Sequence, residues 1–70
     1  MIKIDYVLAD KDYKFVSNIT IWSVVYTSDA ISEAMGFVTE ARAQEYRDSM
    51  PKLSDYVIKR RTAHYTFETL

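Results

Sequence analysis

Hydrophobic and polar positions alternate from Ile2 to Leu8. Ile2, Ile4, Tyr6 and Leu8 share one face of an extended chain, with Lys3 and Asp5 on the other. A period of two predicts a half-buried strand over 2–8. Ala9-Asp10-Lys11-Asp12 is a polar turn whose carboxylates can accept from their own backbone. Tyr13 to Thr27 is rich in β-branched and aromatic residues, including Phe15, Val16, Ile19, Ile21, Trp22, Val24, Val25 and Tyr26, and reads as a second, long strand. Strands usually run for about 5–6 residues, so a bulge or break is expected at Ser17-Asn18. The two strands make a hairpin.

The period changes at Ser28-Asp29, where either residue can cap a helix N-terminus. Ile31, Ala34, Met35, Val38 and Ala41 recur at helical spacing, and Met50-Pro51 ends the pattern. One helix is predicted over 29–49, weakest at Gly36, which is either a kink or a stop followed by a new helix capped at Thr39. On it, Glu33, Glu40, Gln44 and Arg47 form a solvated polar face. Leu53 to Phe67 reads as the last strand, with Ala63, Tyr65 and Phe67 on one face and His64 and Thr66 opposite. The run Tyr56-Val57-Ile58 leaves its inward face ambiguous, and a bulge near Lys59-Arg60-Arg61 reconciles the two halves. The order is ββαβ. The expected class is α+β, a small antiparallel sheet with one helix packed on one face and the other face open. With one Gly and one Pro there is no linker, so residues 1–70 form a single domain.

Size sharpens this picture. A chain of 8.2 kDa should expose about 4,500 Å² when folded, against about 11,900 Å² unfolded, which is marginal burial. Chains this short usually add disulfides, a metal or a partner. There is no Cys and only one His, His64, which excludes disulfides, thiolate metal sites and an imidazole cluster. A partner-bound or self-associating domain remains. The alternating N-terminus is not a signal peptide, and no apolar run approaches a membrane span. The expected location is cytoplasmic, without membrane contact.

Catalytic chemistry finds no footing in these residues. Gly36 stands alone, so no glycine-rich loop can cradle phosphate. No Ser sits in a nucleophile elbow, and His64 lacks an evident Ser and orienting acid. Asp10-Lys11-Asp12 reads as a turn rather than as an acid–base pair or metal site. The chain is therefore expected to be no enzyme, with no catalytic residues, metal or cofactor. Lys59-Arg60-Arg61, with Tyr56 and Tyr65 nearby, is the one basic cluster and supports an alternative, a nucleic-acid-binding regulator. Against it stand the net charge of −1 and the alternation that sends Lys59 and Arg61 one way and Arg60 the other. A charged edge strand that resists aggregation explains the same residues.

The strongest compositional signal is aromatic: six Tyr, three Phe and one Trp. A core this small cannot enclose ten rings with its aliphatic side chains, so several are exposed. Trp, Tyr and Arg dominate protein–protein hot spots. The reading is a non-catalytic protein-binding module with Trp22, Tyr26, Tyr56, Arg60, Arg61 and Tyr65 as partner-binding residues, its partner a larger protein. The C-terminal edge strand can also pair with a partner's sheet. Two phases of the second strand are open: Thr20, Trp22, Val24 and Tyr26 face outward, or Trp22, Val24 and Tyr26 are core. A self-assembling structural protein, such as a homodimer, is a further alternative. In size, ββαβ order, absence of Cys and absence of a catalytic motif, the chain resembles the small accessory proteins of bacteriophages, including anti-CRISPR inhibitors of host defence and proteins that bind host enzymes. The resemblance is architectural and carries over no residue.

Overall fold

The computed structural model describes residues 2–22 and 24–64. Strands β1 (Ile2–Ala9), β2 (Phe15–Ile19), β3 (Val25–Ser28) and β4 (Val57–His64) form an antiparallel sheet in the order β3-β2-β1-β4. Among the described residues one α-helix, α1 (Glu40–Ser49), packs on it. The α+β class is as expected, with one strand more before the helix.

That extra strand comes from the long 13–27 segment, which folds back on itself. Thr20 donates its N–H to the Val24 carbonyl (3.1 Å), and its hydroxyl accepts from the N–H groups of Trp22 (3.3 Å) and Val24 (3.2 Å). The side chain thus holds a tight turn that no Gly, Pro or Asn announces. The expected irregularity at Ser17-Asn18 is present as a bulge: Val16 pairs with Thr27 and Asn18 with Tyr26, leaving Ser17 extra. One inserted residue lets Val16 and Ile19 both contribute to the core. At the 10–14 turn, Asp10 Oδ1 accepts from the N–H groups of Asp12 and Lys14, each at 2.9 Å.

The helix is shorter than its expected 29–49. Residues 31–33 make a single 3-10 turn, and α1 begins only after Thr39, whose Oγ1 accepts from the Arg42 N–H at 3.1 Å. The helix capped at Thr39 is present, but no helix runs up to Gly36 for it to kink or stop, since the 3-10 turn already ends at Glu33. The expected stripe dissolves as well: Val38 is 85% exposed, Ile31 and Ala41 are exposed, and the helix buries Ala43 and half-buries Tyr46. Arg47 leaves the expected polar face, donating to the Tyr56 carbonyl at 3.4 Å. Nor does β4 carry a bulge at 59–61. It pairs without interruption from Ile2↔His64 to Ala9↔Val57.

β1 and β2 share one Cα pairing, Ala9↔Phe15, and residues 35–37 fill the gap beyond it. The Met35 N–H donates to the Val16 carbonyl (2.8 Å), while Tyr6 and Phe37 exchange both backbone bonds (2.9 and 2.7 Å). Met35 and Phe37 pack against the core of Leu8, Val16, Ala43 and Leu53, with Tyr46 ring-to-ring against Phe37 at 5.2 Å. Val7 and Ala9 alternate with Leu8 and point to the other face, yet they are equally buried. The second face was expected to be open, but it is partly covered. The 31–34 turn is held on that side.

Candidate functional site

Arg61 does the holding. It pairs with Asp5 across β1 and β4, with Nε to Oδ1 at 2.8 Å and Nη2 to Oδ2 at 2.5 Å. Its Nη1 reaches the carbonyls of Ile31 (2.7 Å) and Ala34 (2.9 Å). The planar fork suits such multidentate binding. The pair is mostly enclosed, 18% and 14% exposed. Hydrogen bonding from Arg61 holds the Asp5 carboxyl below its ordinary pKa, helped by the Arg61 and Lys3 charges and opposed by desolvation. Gly36 makes this arrangement possible. A Cβ there would collide with the Asp5 carboxylate and lie 2.8 Å from Arg61 Nη2.

Arg61 thus ties two strands and a turn together. Its neighbour Arg60 does not. It is exposed on the other face, beside Tyr6, Ile58 and Glu40, without an ion pair to Glu40. Lys59 is also exposed, on the Arg61 side. The alternation splits the basic cluster as expected, and the Asp5 contact neutralises one of its three cations.

Tyr56 is half-buried against the core, and burial raises its phenol above the ordinary pKa, with the Asp10 charge adding to the effect. It is part of the packing at the start of β4 rather than of an open patch. Tyr65 lies outside the described residues.

Trp22 and Tyr26 have the opposite surroundings. Trp22 is 79% and Tyr26 is 53% exposed, on the β2–β3 unit at the far edge of the sheet from Arg60. Ile19 and Val25 turn to the core while Val24 and Tyr26 turn outward, which selects the outward phase for β3. Trp22 reaches solvent for a different reason: it sits in the turn that Thr20 organises. Ile21 beside it is 91% exposed, although the phase that turns Trp22 outward sets Ile21 inward. The sequence-selected residues therefore separate: Trp22 and Tyr26 share an apolar tip with Ile21 and Val24, while Arg60 and Arg61 lie on β4.

Among the described aromatics none is fully buried: Tyr6, Phe15, Phe37, Tyr46 and Tyr56 are half-buried, and Tyr13, Trp22 and Tyr26 are exposed. The chain exposes 5544 Å², above the about 4,500 Å² typical of its mass. Among the described residues no cluster of His, Asp and Glu could hold a metal ion, and no helix is long and apolar enough to cross a membrane. Comparison with protein-family models, curated proteins and solved structures gives no match.

Proposed function

We propose that this chain is a non-catalytic protein-binding module, a small inhibitor or regulator that occludes a surface of a larger protein. The observation that carries this reading is the β2–β3 turn. Ile21 and Trp22 stand 91% and 79% exposed on a backbone fixed by Thr20. Burying one large apolar side chain contributes about 1.5–3 kcal/mol, and a fixed turn lowers the entropy lost on docking. Trp22 is the hot-spot residue, Ile21 and Tyr26 its apolar surround. The resemblance to phage accessory proteins directs the search to bacterial enzymes and defence systems, in the cytoplasm.

The nucleic-acid alternative has less support. Arg61 is engaged with Asp5, which leaves Lys59 and Arg60 on opposite faces of one strand.

The test is a comparison of tagged wild-type protein with an Ile21→Ser/Trp22→Ser variant in nuclease-treated bacterial lysate, read by mass spectrometry. One stoichiometric partner, captured by the wild type and lost by the variant, is expected. Equal capture by both, or bait alone in both, overturns the reading.

A further inference from the structure

We propose that the outer edge of β4 is a second docking site, which takes an extended acidic segment of a partner protein as a fifth strand. This rests on the protein-binding reading above but uses the opposite edge of the sheet. The two edges are guarded differently. β3 has four residues and adjoins the Ser17 bulge, both of which discourage strand addition. β4 has eight, in unbroken register and without Pro. Among the described residues its guard is charge: Lys59 and Arg60 are exposed, and neither side chain has a hydrogen-bond or ion-pair partner there.

Backbone geometry identifies the open groups. Tyr6 exchanges its two bonds with Phe37, so its N–H and C=O point away from β4. Alternation then turns those of Asp5 and Val7 towards β4, and with them those of their partners Arg61 and Lys59 towards β1. Among the described residues nothing pairs with the outward donors and acceptors of Ile58, Arg60 and Thr62. An added strand sets one residue opposite Lys59 on one face and the next opposite Arg60 on the other, so two consecutive acidic residues meet both cations. Arg61, already held by Asp5, needs no acid opposite it.

The same charges disfavour a second copy of the chain. A twofold antiparallel pairing centred on β4 sets Arg60 against its own copy or against Arg61. Nucleic acid would satisfy the charges but has no alternating ladder to match the open amides.

The probe is acetyl-Thr-Val-Thr-Glu-Glu-Val-Thr-amide, followed by amide hydrogen exchange on the intact protein. Protection is expected to rise at Ile58, Arg60 and Thr62 and to stay unchanged at Lys59 and Arg61. N-methylating the peptide at alternate residues on its β4-facing edge should weaken binding at least about tenfold, and Lys59→Glu/Arg60→Glu should abolish it. Protection at Ile58, Arg60 and Thr62 without peptide, together with a doubled mass, would assign the edge to a second copy and overturn the proposal. So would equal binding of the N-methylated peptide, peptide binding by the double variant, or an oligothymidylate binding where the peptide does not. If the peptide fails while capture still depends on Ile21 and Trp22, only the edge site is lost. If the peptide binds while that capture fails, only the turn-borne site is lost.

Discussion

Arg61 on β4 and Trp22 in the β2–β3 turn stand towards opposite edges of the sheet, each where its chemistry is least expected. The charged side chain is the enclosed one, 18% exposed, with contacts to β1 and the 31–34 turn. The indole is 79% exposed, and only its backbone serves the turn. What separates them is the availability of partners. The guanidinium faces a carboxylate directly across the strand pair and the carbonyls of Ile31, which also accepts from the Ala34 N–H, and Ala34, so enclosure is offset by hydrogen bonds. Trp22 lies past the end of the strands, beyond anything the small core can cover. Polar type therefore predicts neither residue's surroundings: Arg61 is tied into the fold and Trp22 is left exposed.

The largest expected effect comes from removing the first of these. Arg61→Ala should lower unfolding free energy in urea by about 2–3 kcal/mol, because Asp5 and the Ala34 carbonyl lose the Arg61 donors and Ile31 keeps only its bond from the Ala34 N–H. Arg61→Lys should recover only part of this, since an ammonium has no fork. A wild-type urea midpoint for Arg61→Ala would remove the distinction between Arg61 and Trp22.

Gly36→Ala acts on the same contact from the other side. The added methyl meets Asp5 and Arg61, and about 1–3 kcal/mol should be lost as the pair shifts. Full stability of this variant in thermal melts would show that the 35–37 segment does not press on the pair.

Acid sharpens the comparison further. The Asp5 pKa is depressed in the folded state, so its contribution is fully present above the unfolded value and is lost as pH falls through the folded one. Stability should hold from about pH 7 to about pH 5 and decline below about pH 4. Asp5→Asn should have a shallower acid limb in pH-dependent urea unfolding, and an unchanged limb would contradict the assignment. The smallest effect concerns another exposed ring. Tyr13 is 75% exposed with φ of 62°, so Tyr13→Gly should stabilise by about 0.5 kcal/mol once relief of left-handed strain is set against glycine's entropy. A fall in melting temperature would show that the ring packs.

Much of the fold was legible in the chain. Alternation marked β1, the Asp10 turn followed from carboxylates near their own amides, and Pro51 closed the helical segment. Thr39 was visible as a cap, but the helical spacing of Ile31, Ala34, Met35 and Val38 outweighed it. That spacing was misleading because the 35–37 segment gains backbone bonds to Tyr6 and Val16, and no local pattern records such long-range bonds. The β2–β3 turn was hidden because Thr20-Ile21-Trp22 are strand formers, and the turn comes from one hydroxyl. At the candidate site, Trp22, Tyr26 and Arg60 are exposed as expected of binding residues. Ile21 was missed because alternation was carried through a turn. Arg61 could have been separated from Arg60 only by knowing that Asp5 lies opposite it, 56 positions away in the chain.

Equilibrium urea unfolding of the Ile21→Ser/Trp22→Ser variant tests most directly whether the turn-borne side chains are free of the fold. An unfolding free energy within about 0.5 kcal/mol of wild type is predicted, as for surface substitutions away from structural contacts. A loss of about 2 kcal/mol or more, the size of a core truncation, would place Ile21 and Trp22 in the packing of the protein and contradict their assignment to a partner.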